Sequence, residues 1–163
     1  MSDLYPVAGC RFYIGNAPMA TQATDFVAAD FNSVTWIEVD GWSQAGALGD
    51  AGALITTALI NRGRDYKQKG TANAGSMQNV FGIIPGDAGQ AALLAAGDAS
   101  NKNNYPFKVL LNDPTGSPAT ASKRLFVGLV TSAQEAMGEA NTIQNLNATV
   151  EINSNIVRIA AGE

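Results

Sequence analysis

Apolar and polar residues alternate with a period of two over much of this chain. Large apolar side chains occupy every second position in residues 105–111, and residues 145–152 repeat the pattern. This alternation predicts β-strands with one buried face. Another strand is predicted at about 34–40, and weaker strand signals lie at residues 10–15, 64–69 and 78–84.

Two further segments are apolar on both faces. Residues 54–60 (LITTALI) and 124–131 (RLFVGLVT) carry apolar side chains at consecutive positions. A strand with this pattern is normally covered on both sides. We expect the cover to come from a second sheet or from a neighbouring subunit.

One segment departs from the strand period and predicts a helix at about 87–96. Asp87 is suited to the N-cap, Gln90 is placed to close a capping box, and Gly97 can end the helix. Such a short helix needs a sheet to pack on. The predicted fold is therefore mainly β, a two-sheet antiparallel β-sandwich or barrel with one flanking α-helix.

The remaining segments are rich in small and polar residues and have few side chains to anchor them. We predict one domain over residues 1–163, with an extended N-terminal arm at 1–9, a flexible assembly loop at 43–53 and a C-terminal arm at 153–163. Residues 70–76 and 113–122 are expected to be loops as well. The candidate contact residues of the assembly loop are Ser43, Gln44, Leu48 and Asp50.

Low charge distinguishes the composition. Charged residues make up 15% of the chain, against about 25% in typical soluble domains. A neutral polar surface costs less to desolvate, so it suits packing against copies of the same chain. A monomer of low charge would have the same composition, and the two interpretations stay open at this point.

The net charge of −4 argues against a protein that binds nucleic acid by neutralising phosphates. The cations Arg62, Arg64, Lys67 and Lys69 are clustered, and we interpret them as a solvated strand face. The N-terminus lacks the pattern of a signal peptide, and no apolar run approaches the ~18 residues that span a bilayer. We expect synthesis in a cytoplasm and no membrane contact.

The chain contains no histidine, which excludes Ser-His-Asp and Cys-His catalysis and HExxH zinc sites. The segment 41–45 (GWSQA) lacks the final glycine of a nucleophile elbow, and the glycines of 46–52 lack the spacing of a dinucleotide-binding loop. Glu38 and Asp40 are better explained as surface charges than as a catalytic pair. We predict no catalytic, cofactor or metal site, and no enzymatic activity.

Four colinear segments carry a family resemblance. In residues 68–96 (QKGTANAGSMQNVFGIIPGDAGQAALLAA), a glycine-rich turn leads into a strand and then into a P-G-[ED]-x-G-Q-x-A-L-L helix start. The segments YPFKVLLND (105–113), RLFVGLVTSAQEAMGEANT (124–142) and NLNATVEINSN (145–155) follow in order. Together they resemble the lambda-type bacteriophage tail tube family over about residues 34–157.

The resemblance implies a structural virion protein of a siphophage tail, made in the bacterial host cytoplasm. Members of that family form hexameric rings that stack into a hollow tube for DNA, and their loose arms and loops become ordered on assembly. The implied partners are copies of the same chain, a tape measure protein, tail terminator and tail tip proteins, and DNA as passing cargo. Some members carry an additional C-terminal immunoglobulin-like domain, which is not expected here.

The charge of the side chains that line such a tube would decide whether DNA binds to its wall. Cations lining the bore would hold phosphates at fixed positions and so hinder passage. We therefore expect acidic residues on or beside strands of the inner barrel to face the lumen. The candidates are Glu38, Asp40, Asp50 and Asp113.

Two alternatives remain at this stage. The chain could form the inner tube of a contractile tail, or of a tail-derived injection or secretion particle, because these share a related fold. From another class, it could be a monomeric β-sandwich binding module. Oligomerisation separates the second alternative from any tube protein.

Overall fold

The computed structural model describes residues 3–162, and within them the chain is mainly β with one α-helix and one short 3-10 helix. This confirms the predicted fold class. The strands are β1 (Arg11–Gly15), β2 (Trp36–Val39), β3 (Trp42–Gln44), β4 (Ala51–Ala58), β5 (Asp65–Asn73), β6 (Ser76–Gly82), β7 (Tyr105–Leu110), β8 (Lys123–Ala136), β9 (Asn145–Ile152) and β10 (Val157–Ile159). Helix α1 is Ala88–Ala96, and the 3-10 helix is Ala28–Phe31.

The main sheet is antiparallel and runs in the order β2-β1-β7-β8-β9-β6-β3, with β10 paired to β8. Its outer strands, β2 and β3, are joined by only Asp40 and Gly41. A link this short spans about 11 Å at most, so the sheet must curl until its two edges approach each other. The Gly82 N–H at the end of β6 donates to the Gly41 carbonyl at 2.7 Å and holds the turn in place.

The main core is built on aromatic residues of this curled sheet. The Phe12 ring lies 5.7 Å from those of Phe81 and Phe107, and Phe107 stacks on Phe126 at 5.5 Å. All four side chains are fully buried. Alternate residues of β9 are buried as well, which confirms the strand predicted from the period of two at 145–152.

Strand β8 is buried on both faces near its start, as the apolar run at 124–131 predicted. Phe126 belongs to the main core, whereas Leu125 and Val127 pack in a second cluster with Phe26 and Phe31. The 3-10 helix region and β10 cover this second cluster. Because β10 lies inside the predicted C-terminal arm, that arm is anchored in its own chain.

Helix α1 begins where the sequence predicted, with the Asp87 Oδ2 accepting from the Gln90 N–H at 2.9 Å. The predicted capping box is wrong. The buried Gln90 carboxamide instead donates to the carbonyls of Asp40 (2.9 Å) and Gly82 (2.8 Å) and accepts from the Ile84 N–H (3.1 Å). Buried polar groups need hydrogen-bond partners. Gln90 provides them for backbone groups of the β2–β3 turn and of the segment from the end of β6 to α1, and so links the helix to both.

Two segments predicted as loops contribute to strands. Strands β5 and β6 leave only Ala74 and Gly75 between them, so most of 70–76 is paired. The predicted assembly loop 43–53 is divided among β3, a connection at 45–50 and the start of β4. Backbone pairing does not require large side chains, so a composition of small residues did not reveal these strands.

Candidate assembly surface

Strands β4 and β5 form a two-stranded hairpin of their own, apart from the main sheet. Every residue of β4 is exposed, and so is every residue of β5 except Gly70. The side chains of Leu54, Ile55 and Tyr66 are 67%, 47% and 50% exposed, and Ile60 in the turn is fully exposed. Two strands alone in water are marginally stable at best, so this hairpin is suited to gaining a partner.

The exposure of this hairpin answers one question left by the sequence. Residues 54–60 were expected to be covered on both faces, by a second sheet or by a neighbouring subunit. Within residues 3–162 neither face of β4 is covered. A second sheet of the same chain is therefore not the cover, and a neighbouring subunit is the remaining expectation.

The two faces of the hairpin differ chemically. Residues directly opposed in an antiparallel pair share a face. One face is uncharged and carries Ile55, Thr57, Tyr66 and Gln68. The other face carries Leu54, Thr56, Lys67 and Lys69, with Ala58 and Asp65 next to the turn, and its net charge is positive. The four cations were predicted to lie on an exposed strand face. Lys67 and Lys69 do so, whereas Arg62 and Arg64 lie in the turn.

Charge is unevenly distributed between the hairpin and the rest of the chain. The segment 59–73 holds four of the 10 Lys and Arg residues and only Asp65 of the 14 Asp and Glu residues. This segment is therefore +3, and the remaining residues are −7. Copies of this chain would attract each other wherever the hairpin of one meets an acidic surface of another.

Three of the four candidate contact residues at 43–50 serve their own chain. The Ser43 Oγ donates to the Val80 carbonyl at 3.1 Å, and Gln44 is paired with Val80 in the ladder between β3 and β6. Leu48 is half-buried against the main core. Asp50 is exposed and directly precedes β4, which places it at the base of the hairpin.

Asn79 is a structural residue of this region that the sequence did not reveal. Its side chain is buried, and its Oδ1 accepts hydrogen bonds from the Gly46 N–H at 3.0 Å and the Trp42 Nε1–H at 3.2 Å. These bonds hold the connection 45–50 against β6. An asparagine in a strand carries no local signal of this long-range role.

The four acidic lumen candidates lie in different parts of the fold. Glu38 on β2 forms an exposed ion pair with Arg11 at 3.5 Å. The Asp40 carboxylate accepts from the Gly41 N–H in the turn after β2. Asp50 lies at the base of the hairpin, and Asp113 lies after β7. Among the described residues, no hydrogen bond joins the side chains of any two of the four.

Asp113 is held more firmly than the other three. Its carboxylate accepts from the Ser122 Oγ–H at 2.6 Å and the Ser122 N–H at 2.8 Å. These two hydrogen bonds, led by the one from the hydroxyl, lower the pKa of Asp113 below its usual value. The Asp113 carboxyl is therefore more acidic than an ordinary aspartate.

Residues 3–162 contain no group of three or more Asp, Glu or Cys side chains placed to hold a metal ion. In the same part of the chain, no helix has the length and apolar character needed to cross a membrane.

The fold is shared with chains of tail and injection assemblies. No protein-family model and no curated protein sequence matches this chain. Among solved structures, a chain of the PVC sheath/tube terminator of an extracellular contractile injection system in its extended state aligns with a TM-score of 0.65 and 13% identity, over 98% of this chain and 99% of that one. A chain of the SPP1 tail tube aligns with a TM-score of 0.64 and 12% identity, over 97% of this chain and 81% of that one.

A third structure extends the comparison to another particle. A chain of the six-fold symmetrised baseplate of the anti-feeding prophage aligns with a TM-score of 0.65 and 9% identity, over 93% of this chain and 91% of that one. At such identities, the similarity establishes the fold alone. That fold, over nearly the whole chain, is one found in tail tube and injection-system components.

Proposed function

We propose that this protein is a non-enzymatic subunit of a siphophage tail tube, made in the host cytoplasm and incorporated into the virion. Copies associate into hexameric rings, and the rings stack into a hollow tube through which DNA passes. The observation that carries the proposal is the exposed hairpin of β4 and β5, which presents apolar side chains on both strands. An exposed strand pair with apolar side chains marks an interaction site.

The shared fold supports the same proposal. The aligned solved structures include one tail tube and several components of tube-bearing injection particles. Two of the aligned chains come from structures of a sheath/tube terminator and of a tube-terminating cap. By analogy, we propose a tail terminator as a partner of this tube, together with a tape measure protein inside it and tip proteins at its far end.

Purified protein at high concentration is expected to form annular particles or hollow tubes in electron micrographs. The reason is that the hairpin is covered only when copies associate, so concentration drives assembly by mass action. Sedimentation measures the same change as a loss of monomer. A β-sandwich binding module would instead stay monomeric at every concentration, and that result would refute the tube proposal.

A second candidate function is the inner tube of a contractile particle. Two of the aligned structures come from contractile injection systems, one of them a sheath–tube complex in its extended state. An inner tube must bind a sheath on its outer surface, whereas a siphophage tube has none. A sheath gene beside the gene for this chain, and co-sedimentation of that sheath with the tubes, would favour the contractile particle.

We also propose that acidic side chains line the bore and let DNA slide. Reversing Glu38→Lys, Asp40→Lys and Asp50→Lys together is expected to leave tubes intact and to slow DNA ejection, because lysines in the bore would bind phosphates. Fluorescence of a DNA dye released from phage measures the ejection rate. The reversal Asp113→Lys is tested separately, since it also breaks the bonds to Ser122. Ejection at the normal rate both in the triple variant and in Asp113→Lys would refute an acidic bore.

A further inference from the structure

An apolar groove lies beside the N-terminal half of helix α1. It has a volume of about 260 Å³ and is lined by the connection from β6 to α1, by the helix, by the far end of β8 and by Leu146 of β9. Ile84 and Leu94 are among its apolar lining residues, and both are partly exposed. Asp87 and Glu135 contribute two carboxylates to the same lining.

The turn of the hairpin carries the complementary chemistry. Ile60 is fully exposed, and Arg62 and Arg64 follow it within four residues. These residues lie in the turn that joins β4 to β5. The two strands have eight and nine residues, which gives the hairpin a length of roughly 25–30 Å. That length is comparable to the diameter of a small domain, so the turn can reach past its own subunit.

We propose that the hairpin turn of one copy docks into this groove on a second copy. Ile60 enters the apolar groove, and Arg62 and Arg64 lie against Glu135 and Asp87. This inference rests on the tube function proposed above and names the two surfaces that meet in it.

Charge supports a second copy as the occupant. The turn belongs to the segment that is +3, whereas the rest of the chain, which includes the groove, is −7. The Asp87 carboxylate uses Oδ2 for its bonds to the Gln90 and Asp40 N–H groups, so its Oδ1 can accept from an arginine. The Glu135 carboxylate accepts no hydrogen bond from the described residues, so it can accept two parallel hydrogen bonds from a planar guanidinium group.

The contact is between two different surfaces, so each copy has one turn to give and one groove to fill. A contact of this kind is head-to-tail, and it generates rings or continuing filaments instead of closed pairs. The groove is small, so it accepts one aliphatic anchor and the remaining affinity comes from the flanking charges. One buried anchor surrounded by polar contacts is typical of protein interfaces.

Charge reversal tests the docking in both directions. The variant Arg62→Glu/Arg64→Glu and the variant Glu135→Arg should each raise the protein concentration needed for tubes by at least about 100-fold, because like charges then face each other. Glu139→Arg is the matched control for Glu135→Arg, and Lys102→Glu is the control for reversing a cation outside the turn, since both positions are exposed and lie in other loops. Their tubes should form at the concentration of the unaltered protein.

Mixing the two defective variants is the decisive experiment. In a mixed assembly the acidic turn meets the reversed groove, and the basic turn of the second variant meets the natural groove of the first. The equimolar mixture, and a chain that carries all three substitutions, should both regain tubes. If the turn variant and the groove variant each assemble normally alone, the docking is wrong. It is also wrong if neither the mixture nor the chain with all three substitutions restores assembly. Failure of the unaltered protein to form rings or tubes would refute the tube function itself.

A disulfide cross-link tests the contact directly. In a Cys10→Ser background, Ile60→Cys with Leu94→Cys should give a ladder of linked oligomers when tubes are oxidised, because a disulfide needs Cα atoms within about 7 Å. The control pairs Ile60→Cys with Val27→Cys, another exposed apolar position. An equally strong ladder from the control, or none from the first pair, would overturn the docking. Unchanged melting temperatures of the variant monomers verify that each chain is folded.

Discussion

Replacing residues 53–71 by Asn-Gly should abolish tube formation and leave a folded monomer. The replacement joins Gly52 to Ala72, which are directly opposed in the hairpin, and Asn-Gly favours the tight turn that such a pair needs. The removed strands are exposed and lie outside the main sheet, so the free energy of unfolding should change by about 1 kcal/mol or less. Electron microscopy and urea denaturation measure the two effects.

The matched control alters an exposed loop elsewhere. Substituting residues 138–141 by Gly and Ser at unchanged length affects another exposed segment, and tubes should still form. If the chain without the hairpin assembles as the control does, the hairpin is not an assembly surface. Deleting residues 43–53 would not separate a loss of assembly from a loss of stability as well, because it removes most of β3 together with Leu48, which packs on the core.

The substitution Gly89→Ala should destabilise the fold by about 1–3 kcal/mol. Helix propensity alone predicts the opposite, because alanine in a helix is favoured over glycine by about 1 kcal/mol. In the structure a Cβ on Gly89 would lie 2.1 Å from the Glu38 carbonyl oxygen and 2.6 Å from the Val39 Cα. The helix would have to move off β2, and strain of this kind outweighs the gain in propensity.

The control for this substitution is Ala91→Gly in the same helix. Ala91 is exposed, so only propensity changes there and a loss of about 1 kcal/mol is expected. Thermal or urea denaturation of the monomer measures both variants. A stabilised Gly89→Ala protein would mean that α1 does not lie as close to β2 as described.

The helix illustrates how far local signals extend. Asp87 and the apolar run after it predicted where α1 begins, because an N-cap acts within its own turn. Gln90 has the same sequence signature whether it closes a capping box or enters the interior. Its three hydrogen bonds go to backbone groups of Asp40, Gly82 and Ile84, and only the curled sheet brings the Asp40 turn within reach.

The strands show the same division between local patterns and contacts with distant segments. The alternation at 145–152 determined which face of β9 is buried, because successive side chains point to opposite sides of any strand. The apolar runs at 54–60 and 124–131 looked alike in sequence, yet β8 is buried by its own chain and β4 is exposed on both faces. Covering segments are distant in the chain, so a local pattern cannot identify them.

The candidate site shows the same limit for charge. The sequence placed four cations close together, but register alone puts Lys67 and Lys69 on one face of the hairpin and leaves the other face uncharged. The sequence also suggested four acidic residues for the lumen, but nothing in it indicated that Ser122 donates two hydrogen bonds to Asp113.

By itself the sequence determined the strand periods, the helix start, the lack of histidine chemistry and the low charge, all of which depend on residue type and short spacing. The tertiary structure alone decided that β2 and β3 approach each other, that β10 anchors the C-terminal arm and that the hairpin stands exposed. Each of these depends on which distant segments meet. A short-range pattern specifies which surfaces avoid water, and only the folded chain specifies which of them remain uncovered.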